Sequence, residues 1–467
     1  MQLNRAMFVR SFIATAMSVL MALSSSADWT YTETNAVQNG TSKGFITDGV
    51  WTFYAERAKG ATDELTVDAS KGMSINPAQP AKIDFSEIED GYKVVKFVGV
   101  KNTQSALVLY TTEFIAPHCT NLSGEGIFFP GGNTYNTTLT KIELRKDVAV
   151  TLGSDRMFRN CTCLTSFTPK KIAGDSLRTE MFQGCSSLEG EFEFPECTSF
   201  TGSVFAGCAK LGGIKAENAN SVGQSSFNGC SSLSNIVLSS SVEYIGNYAF
   251  KGCSKITTEF VQGILHKGLK RLGNSATDRH GCFVDCTGLT GSIVWNLPNL
   301  ITNAVPNSCF SGCTSLERVE IKSPVSVIGA SAFANLKKGA EVYLPNEPFS
   351  VYESYAVATG DAPFPRVYIG GDINSQLAKM YAFNNNLIKK EEFNDTTWKS
   401  VLPNQSSATW NAIVNGKMLK DETMCSKKVD GKVVVKDKNV VAFIMGNTNN
   451  GCWILKKPEE GFKVIVR

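Results

Sequence analysis

One block of the sequence would suit covalent catalysis. Residues 174–177 read Gly-Asp-Ser-Leu, which makes Ser176 a candidate nucleophile for ester hydrolysis. A serine of this kind needs a histidine base that is oriented by a carboxylate. The last histidine is His280, in the pattern Asp278-x-His280, and no histidine follows it toward the C-terminus. We therefore predict that the block is a coincidence and that Ser176 is not catalytic.

A second group of residues has the chemistry of a metal site. His280, Cys282 and Cys286 offer an imidazole and two thiols, which are suitable zinc ligands. No fourth ligand is evident nearby, and Cys286 also occupies a repeat position described below. The sequence lacks phosphate-binding loops, H-E-x2-H and calcium-loop spacing, and it has three histidines in all. We therefore predict no metal, no cofactor and no enzymatic activity.

Phenylalanine, cysteine and leucine recur together along the chain in the pattern F-x2-C-x2-L. The copies are Phe158-Cys161-Leu164, Phe182-Cys185-Leu188, Phe205-Cys208-Leu211, Phe227-Cys230-Leu233, Phe250-Cys253-Ile256, Phe283-Cys286-Leu289 and Phe310-Cys313-Leu316. Successive phenylalanines from Phe158 to Phe333 are 24, 23, 22, 23, 33, 27 and 23 residues apart. A fixed period of this length is the signature of a repeat architecture.

A short stretch of alternating apolar residues follows each copy. It is clearest at 233–238, L-x2-I-x-L, and at 316–321, L-x2-V-x-I. Alternation with period two predicts a strand with one buried face. We therefore predict a β-rich repeat solenoid of short parallel strands, in which Phe, Cys and Leu are buried between stacked coils. An extra residue after Leu188 and after Leu289 predicts displaced or bulged strands there.

These motifs, FxGCxxL followed by IxLxxxVxxIGxxAF, resemble the BspA-type leucine-rich repeats of many bacterial and some protist surface proteins. The resemblance covers about residues 115–370, with Ala116-Cys119-Leu122 as a degenerate first copy and a degenerate end that opens at 339–345. It implies a leucine-rich-repeat solenoid and a role in adhesion or in binding host or matrix proteins. It implies no particular ligand.

The N-terminus has the pattern of an export signal. Two arginines precede an apolar run from Phe12 to Leu23, and small residues lead to Ala27, which is typical of a cleavable secretory signal peptide. We predict cleavage after Ala27 and a secreted or cell-surface protein. The predicted segments are a signal peptide at 1–27, a β-rich domain or cap at 28–114, the solenoid at 115–392 and a second β-rich domain or cap at 393–467.

Charge and hydropathy restrict the partners. Removal of Arg5 and Arg10 with the leader takes the formal net charge from +3 to +1, so no large positive field favours nucleic acid. No second apolar run reaches spanning length, so we predict no transmembrane segment in the mature chain. The expected partner is a protein or a glycan on another cell or matrix.

Aromatic residues are concentrated in the N-terminal flank. Trp29, Tyr31, Trp51, Phe53 and Tyr54 would suit a carbohydrate-binding module if their rings were exposed to stack on sugars. Alternation places Trp51 and Phe53 on one strand face, which favours a core and a cap over the unpaired edge of the solenoid. The C-terminal flank is either a similar cap or a sorting or attachment domain.

The chain contains 14 cysteines, which in an exported protein often form disulfides. Seven occupy the repeat position, where a small and weakly polar side chain packs well, and we predict buried free thiols there. Stacked coils would also bring them within disulfide distance, so that alternative stays open. The better disulfide candidates are Cys119, Cys163, Cys197, Cys282, Cys309, Cys425 and Cys452.

One residue of each strand lies between two buried positions and is predicted to point outward. This predicted strip consists of Glu143, Thr168, Glu193, Lys215, Val237 and Glu320. We predict that the strip, with a looped-out insertion at 257–282, binds the partner; the alternative is a merely solvated sheet face. Two other classes stay open, a self-assembling structural component of the cell surface and an enzyme whose site lies in a flank.

Overall fold

A computed structural model describes residues 29–344 except 39–40, 59, 62, 77–78, 101–104, 169, 274–280, 326 and 330, and beyond them only the strands at 350–351, 366–369, 422–424, 426–429, 432–435 and 453–456. The predicted signal peptide lies outside the described residues. Two compact units are present. Unit 1 is Met1–Ala173 with Cys185–Leu188, and unit 2 is Gly174–Gly184 with Glu189–Arg467.

Unit 1 consists of strands and one short α-helix. Its elements are β1 Thr30–Gln38, β2 Thr41–Thr47, β3 Trp51–Arg57, β4 Glu64–Asp68, β5 Met73–Ile75, β6 Ala81–Asp84, a 3-10 helix Glu89–Gly91, β7 Lys93–Val98, α1 Ala106–Tyr110, β8 Thr111–Ile115, β9 Asn121–Ser123, β10 Lys141–Glu143, β11 Val150–Leu152, β12 Ser166–Thr168 and β13 Ile172–Ala173.

The strands of unit 1 form two sheets. One has the order β1-β2-β3-β4-β7-β9-β11-β13, with β5 also on β3, and the other has the order β12-β10-β8-β6. Pairing is antiparallel from β1 to β4 and parallel from β4 onward. Successive coils thus place one strand in each sheet.

Unit 2 continues the same alternation of strands. Its elements are β14 Ser176–Leu177, β15 Gly190–Glu193, β16 Ser199–Phe200, β17 Leu211–Ala216, β18 Ser221–Val222, β19 Asn235–Leu238, β20 Tyr244–Ile245, α2 Thr258–Ile264, β21 Arg271–Leu272, β22 Gly291–Trp295, β23 Ala304–Val305, β24 Leu316–Ile321, β25 Val327–Ile328, β26 Glu341–Tyr343, β27 Ser350–Val351, β28 Arg366–Ile369, β29 Glu422–Met424, β30 Ser426–Val429, β31 Lys432–Val435 and β32 Trp453–Lys456.

The strands of unit 2 form five sheets. Their orders are β14-β16-β18-β20-β21, β15-β17-β19, β22-β24-β26-β28-β32-β29, β23-β25-β27 and β30-β31. Nearly all neighbours are parallel, as the stacking of coils requires. The predicted β-rich repeat solenoid of short parallel strands is therefore confirmed.

The repeat phenylalanines form the core predicted for them. In unit 2 the rings from Phe182 to Phe333 stack with successive centroid distances of 5.3, 5.9, 5.5, 5.8, 5.5 and 6.2 Å, and every neighbouring pair is within 14° of parallel. These distances exceed the strand spacing of about 4.8 Å because parallel rings prefer an offset. All of these rings are fully buried.

The two predicted irregular strands are also confirmed. The register of β15 on β17 shifts between Gly190 and Glu191, and that of β22 on β24 shifts between Gly291 and Ser292. Both glycines have a positive φ, which a residue without Cβ adopts at little cost. The bulge absorbs the extra residue and leaves Phe192 and the equivalent Ile293 buried.

The first copy of the repeat differs from the prediction. Phe128 stacks on Phe158 at 5.8 Å, and Asn136 takes the cysteine position because it pairs in parallel with Cys161. Its Nδ2 donates to Val108 O at 3.3 Å and to Phe128 O at 3.1 Å. The loop at 129–135 separates the two residues and hides this copy from the F-x2-C pattern. The predicted copy at 116–122 is wrong: this segment is the corner between β8 and β9, equivalent to 194–200.

Parallel pairing extends into both predicted flanks. β4, β6 and β7 lie within 28–114, and all three pair in parallel: β4 with β7, β7 with β9, and β6 with β8. β32, within 393–467, pairs in parallel with β28. Each flank therefore adds strands to the solenoid's own sheets. These strands lack the repeat pattern, so the boundaries at 114 and 392 stay predictions.

The aromatic residues of the N-terminal flank form a core. Trp29, Trp51 and Phe53 are buried, and the rings of Trp51 and Phe53 stack at 5.6 Å. Tyr31 is also buried, and Tyr54 lies beneath Lys71 Nζ at 5.2 Å. A carbohydrate-binding platform of exposed rings is therefore wrong for Trp29, Tyr31, Trp51 and Phe53, because their rings are used in packing. Tyr54 is half-buried.

The described cysteines are free thiols. In the repeat position each S–H donates to the carbonyl of the phenylalanine one coil earlier, for example Cys230 Sγ to Phe205 O at 3.1 Å and Cys253 Sγ to Phe227 O at 3.1 Å. The off-position disulfides predicted for Cys119, Cys163, Cys197, Cys282 and Cys309 are absent among the described residues. Cys425 and Cys452 lie outside the described residues.

Candidate partner-binding surface

Two residues of the predicted strip lie side by side in unit 1. Glu143 of β10 pairs in register with Thr168 of β12. Glu143 also forms ion pairs with Lys141 at 2.8 Å and Lys146 at 2.7 Å. The hydrogen bonds from Lys141 and then Lys146 hold the pKa of the Glu143 carboxyl below its ordinary value. Glu143 therefore presents a lysine-paired carboxylate and not an isolated negative charge.

Three more residues of the strip lie side by side in unit 2. Glu193, Lys215 and Val237 are in register on β15, β17 and β19. Lys215 is exposed and lies 3.5 Å from Glu217, and Val237 has 37% of its surface exposed. An acid, a base and an apolar residue therefore stand in one row across three coils.

A second row beside it was missed from the sequence. Asn235 Nδ2 donates to Glu191 Oε1 at 3.0 Å, although β17 lies between their strands. Gly213 stands at the middle position, and a Cβ there would be 2.8 Å from Glu191 Cγ and 2.9 Å from Asn235 O. The two side chains meet only because the middle residue has none. The glycine pair in the strand sequence LGGIKA was the available signal.

Glu320 lies apart from the other strip residues of unit 2, on β24 of a different sheet. Its register neighbours are Val294 and Tyr343, and its carboxylate is 3.7 Å from the Arg318 guanidinium. The Arg318 guanidinium also lies 4.0 Å from the centre of the Tyr343 ring, whose other neighbour is the Tyr368 ring at 4.1 Å. Burial, and then the charge of nearby Glu341, raise the pKa of Tyr343.

A shallow cleft adjoins this group. Its volume is about 380 Å³, and its walls include Ser292, Arg318, Lys337, Lys338 and Glu341. Lys337 pairs with Glu317 at 2.5 Å, which neutralises part of the positive charge. The cleft is a small polar depression at the start of β22, β24 and β26.

The insertion contains a helix in place of a strand. Thr257 Oγ1 accepts a hydrogen bond from Phe260 N–H at 3.1 Å and caps α2. Gln262 then donates to Val294 O at 3.0 Å and accepts from Val294 N–H at 2.8 Å, as a neighbouring strand would. The strip is consequently interrupted between β19 and β22, which alternation alone did not predict. Residues 274–280 of the insertion lie outside the described residues.

The described residues that were considered for catalysis and metal binding make the pairings and hydrogen bonds of the repeat. Ser176 pairs in register with Ser199, which pairs with Ser221, so the serine of the 174–177 block is a repeat position. Cys282 and Cys286 donate their S–H groups to Gly246 O at 3.2 Å and Phe250 O at 3.0 Å. His280 lies outside the described residues. Elsewhere in the described chain no cluster of His, Cys, Asp and Glu is suited to a metal ion.

The BspA type leucine rich repeat region matches the chain in six copies, over 133–257 and 277–389. These ranges hold 125 and 113 residues, which together are 238 of the 467 residues and so more than half of the chain. The chain therefore belongs to this family. The gap between the ranges contains α2. The family match and the helical insertion thus divide the repeat at the same place.

Two solved structures resemble the chain. A leucine rich cell surface protein from Faecalibacterium prausnitzii A2-165 is 17% identical, with 72% of this chain and 97% of that chain covered and a TM-score of 0.36. A leucine-rich repeat protein from Bacteroides ovatus ATCC 8483 is 16% identical, with 74% and 94% covered and a TM-score of 0.27. No curated protein matches the chain. Among the described residues no helix is long and apolar enough to span a membrane.

Proposed function

We propose that this chain is an exported, non-catalytic repeat protein whose solenoid binds a protein or a polysaccharide, in adhesion or in contact with a host or matrix. Membership of the BspA-type family supports a surface repeat protein. The row of Glu193, Lys215 and Val237 carries the proposal, because three successive coils present different side chains in register on one face. A surface of this kind suits a macromolecular partner better than a small ligand.

A binding screen of the whole secreted chain tests the proposal. Matrix proteins, host-cell surfaces and a glycan array are the probes, and saturable binding is expected to one of them. The triple variant Glu193→Ala/Lys215→Ala/Val237→Ser should weaken that binding at least tenfold. The variant Glu243→Ala/Lys270→Ala removes an exposed ion pair of 2.7 Å next to the start of β20 and of β21, which are strands of another sheet, and should change it less than twofold.

Two other outcomes would reject this function. Concentration-dependent polymerisation without binding to any probe would favour a structural component of the cell surface. Turnover of a substrate by the purified chain would favour an enzyme.

Export is tested separately. Mass spectrometry of the protein recovered outside the producing cell should give Asp28 as the first residue, since we place the cleavage after Ala27. Recovery only inside the cell with Met1 retained would reject export.

A further inference from the structure

The sheet that carries Glu193, Lys215 and Val237 ends at β19, although the coils continue. The rings of Phe227, Phe250 and Phe283 stay stacked at 5.5 and 5.8 Å, so the intervening coil is present. This coil has α2 in place of a strand, and α2 bonds toward β22 through Gln262 and Thr258. Among the described strands β19 therefore pairs with β17 alone.

The free side of β19 can be assigned residue by residue. Phe194, the residue that follows β15, has a buried side chain, and its N–H donates to Lys215 O at 2.7 Å. Residues with inward side chains therefore direct their backbone toward the next strand. Alternate residues of a parallel strand bond to opposite neighbours. The equivalent inward positions of β19 are Ile236 and Leu238. Their N–H and C=O groups face away from β17, and no described group bonds to them.

Exposure agrees with this assignment. Ile236 and Leu238 are half-buried, whereas the equivalent Ile214 and Ala216 on β17 are buried. Solvent therefore reaches both the apolar side chains and the unpaired backbone at this edge. An unpaired edge of this kind is a template for another strand.

We propose that this edge, Asn235–Leu238, binds an extended segment of a partner polypeptide by β-strand addition. The proposal rests on the binding function proposed above and names its site and partner class. An extended backbone supplies a donor and an acceptor at every second residue, which matches Ile236 and Leu238, and its alternate side chains cover their exposed apolar surface. On β22 the carboxamide of Gln262 already meets the same requirement for Val294.

The probe is a peptide with the sequence of residues 314–323, TSLERVEIKS. These residues contain β24, which pairs in parallel with β22 in this solenoid. Saturable binding of the fluorescein-labelled peptide to the whole chain is expected by fluorescence polarisation. N-methylation at the positions of Arg318 and Glu320, which face the preceding strand, should weaken binding at least tenfold. N-methylation at the positions of Val319 and Ile321 is the matched control and should change it less than threefold.

A second test changes the backbone of β19 and leaves the peptide unchanged. Ile236→Pro removes an N–H that no described group accepts, whereas Ile236→Ala keeps the N–H and shortens the side chain by more than proline does. The proline variant should bind at least five times more weakly than the alanine variant. Equal binding by the two variants, or by the two methylated peptides, would overturn the proposal.

Hydrogen exchange tests the open edge in the unsubstituted protein, so it does not depend on a variant that folds. With single-residue resolution, the amides of Ile236 and Leu238 should exchange faster than those of Asn235 and Val237, and the peptide should slow them. Equal protection of all four amides in the free chain would reject the open edge. A chain that binds a matrix protein or glycan but not the peptide would overturn only the strand-addition proposal, and the reverse result would overturn only the adhesion role.

Discussion

The repeat cysteine is explained by one hydrogen bond and by its size. Its S–H donates to the carbonyl of the preceding coil's phenylalanine at 3.0–3.2 Å in unit 2, from Cys208 to Cys313. Sulfur also fills the space between stacked rings as a small hydrophobe. A buried thiol of this kind joins successive coils without a covalent bond.

Replacing such a thiol should cost stability. Cys230→Ala removes the bond to Phe205 O and leaves space beside two stacked rings, so we expect the free energy of unfolding to fall by about 1–2 kcal/mol. Urea denaturation followed by circular dichroism measures the change. Cys163, which is half-buried, is the control, and Cys163→Ala should cost less than about 0.5 kcal/mol. Equal losses in the two variants would contradict this explanation.

At the scale of elements, the turn before each cysteine requires an unusual backbone. Gly229 has φ +79°, and Asp285 occupies the equivalent position with φ +58°. Gly229→Ala should destabilise by about 1 kcal/mol because L residues avoid this region. Asp285→Gly should be neutral or stabilising by up to about 1 kcal/mol. Thermal unfolding of the pair measures both changes, and a loss of stability in Asp285→Gly would show that its side chain matters more than its backbone.

Two side chains of α2 bond to the backbone at β22: Thr258 to Thr290, just before the strand, and Gln262 to Val294 within it. Gln262→Ala leaves the Val294 N–H and C=O without their partner, which should cost about 1–3 kcal/mol and speed exchange of the Val294 amide. Gln262→Glu keeps an acceptor for the N–H and sets a carboxylate oxygen against the C=O. We expect it to be as damaging at pH 7 and to recover partly near pH 4, where a protonated carboxyl donates again. No difference between the two pH values would contradict this account.

The elements show what the sequence could and could not predict. The stack from Phe182 to Phe333 in unit 2 and both bulges followed from spacing, because each coil repeats the same contacts. The copy at Phe128 did not, because an insertion and an asparagine disguise it. The outward direction of Val237 followed from alternation, whereas the link between Glu191 and Asn235 depends on which strands are neighbours. The helix at 258–264 was signalled only by the cap residue Thr257.

At the scale of the whole molecule, the buried thiols act together on pH dependence. Burial raises the pKa of Cys282 and of Cys313 to about 12, from an ordinary value near 9. A thiol whose pKa is raised by folding contributes its full stability below pH 9 and loses it as the pH rises toward 12. Each such thiol lowers the free energy of unfolding by up to about 1.4 kcal/mol per pH unit in that range.

Urea midpoints at pH 8, 9.5 and 10.5 measure this effect. The midpoint should be constant up to about pH 9 and then fall. A Cys282→Ala/Cys313→Ala variant should be less stable at pH 8 but fall less steeply, since two titrating groups are gone. If the urea midpoints of the two proteins fell in parallel with pH, groups other than Cys282 and Cys313 would cause the loss of stability.

The break between β19 and β22 also has a mechanical consequence. If tension were applied along unit 2, stacked coils would detach one at a time, and each coil of about 23 residues would lengthen the chain by up to about 80 Å. At the strand position, the coil that contains α2 is joined to the next coil through the side chains of Gln262 and Thr258, whereas its neighbours use strand backbones there, so it should yield at the lowest force. Its release would add the longest single extension, about 115 Å for 33 residues. The helix would then serve as an extensible link that yields before the regular coils.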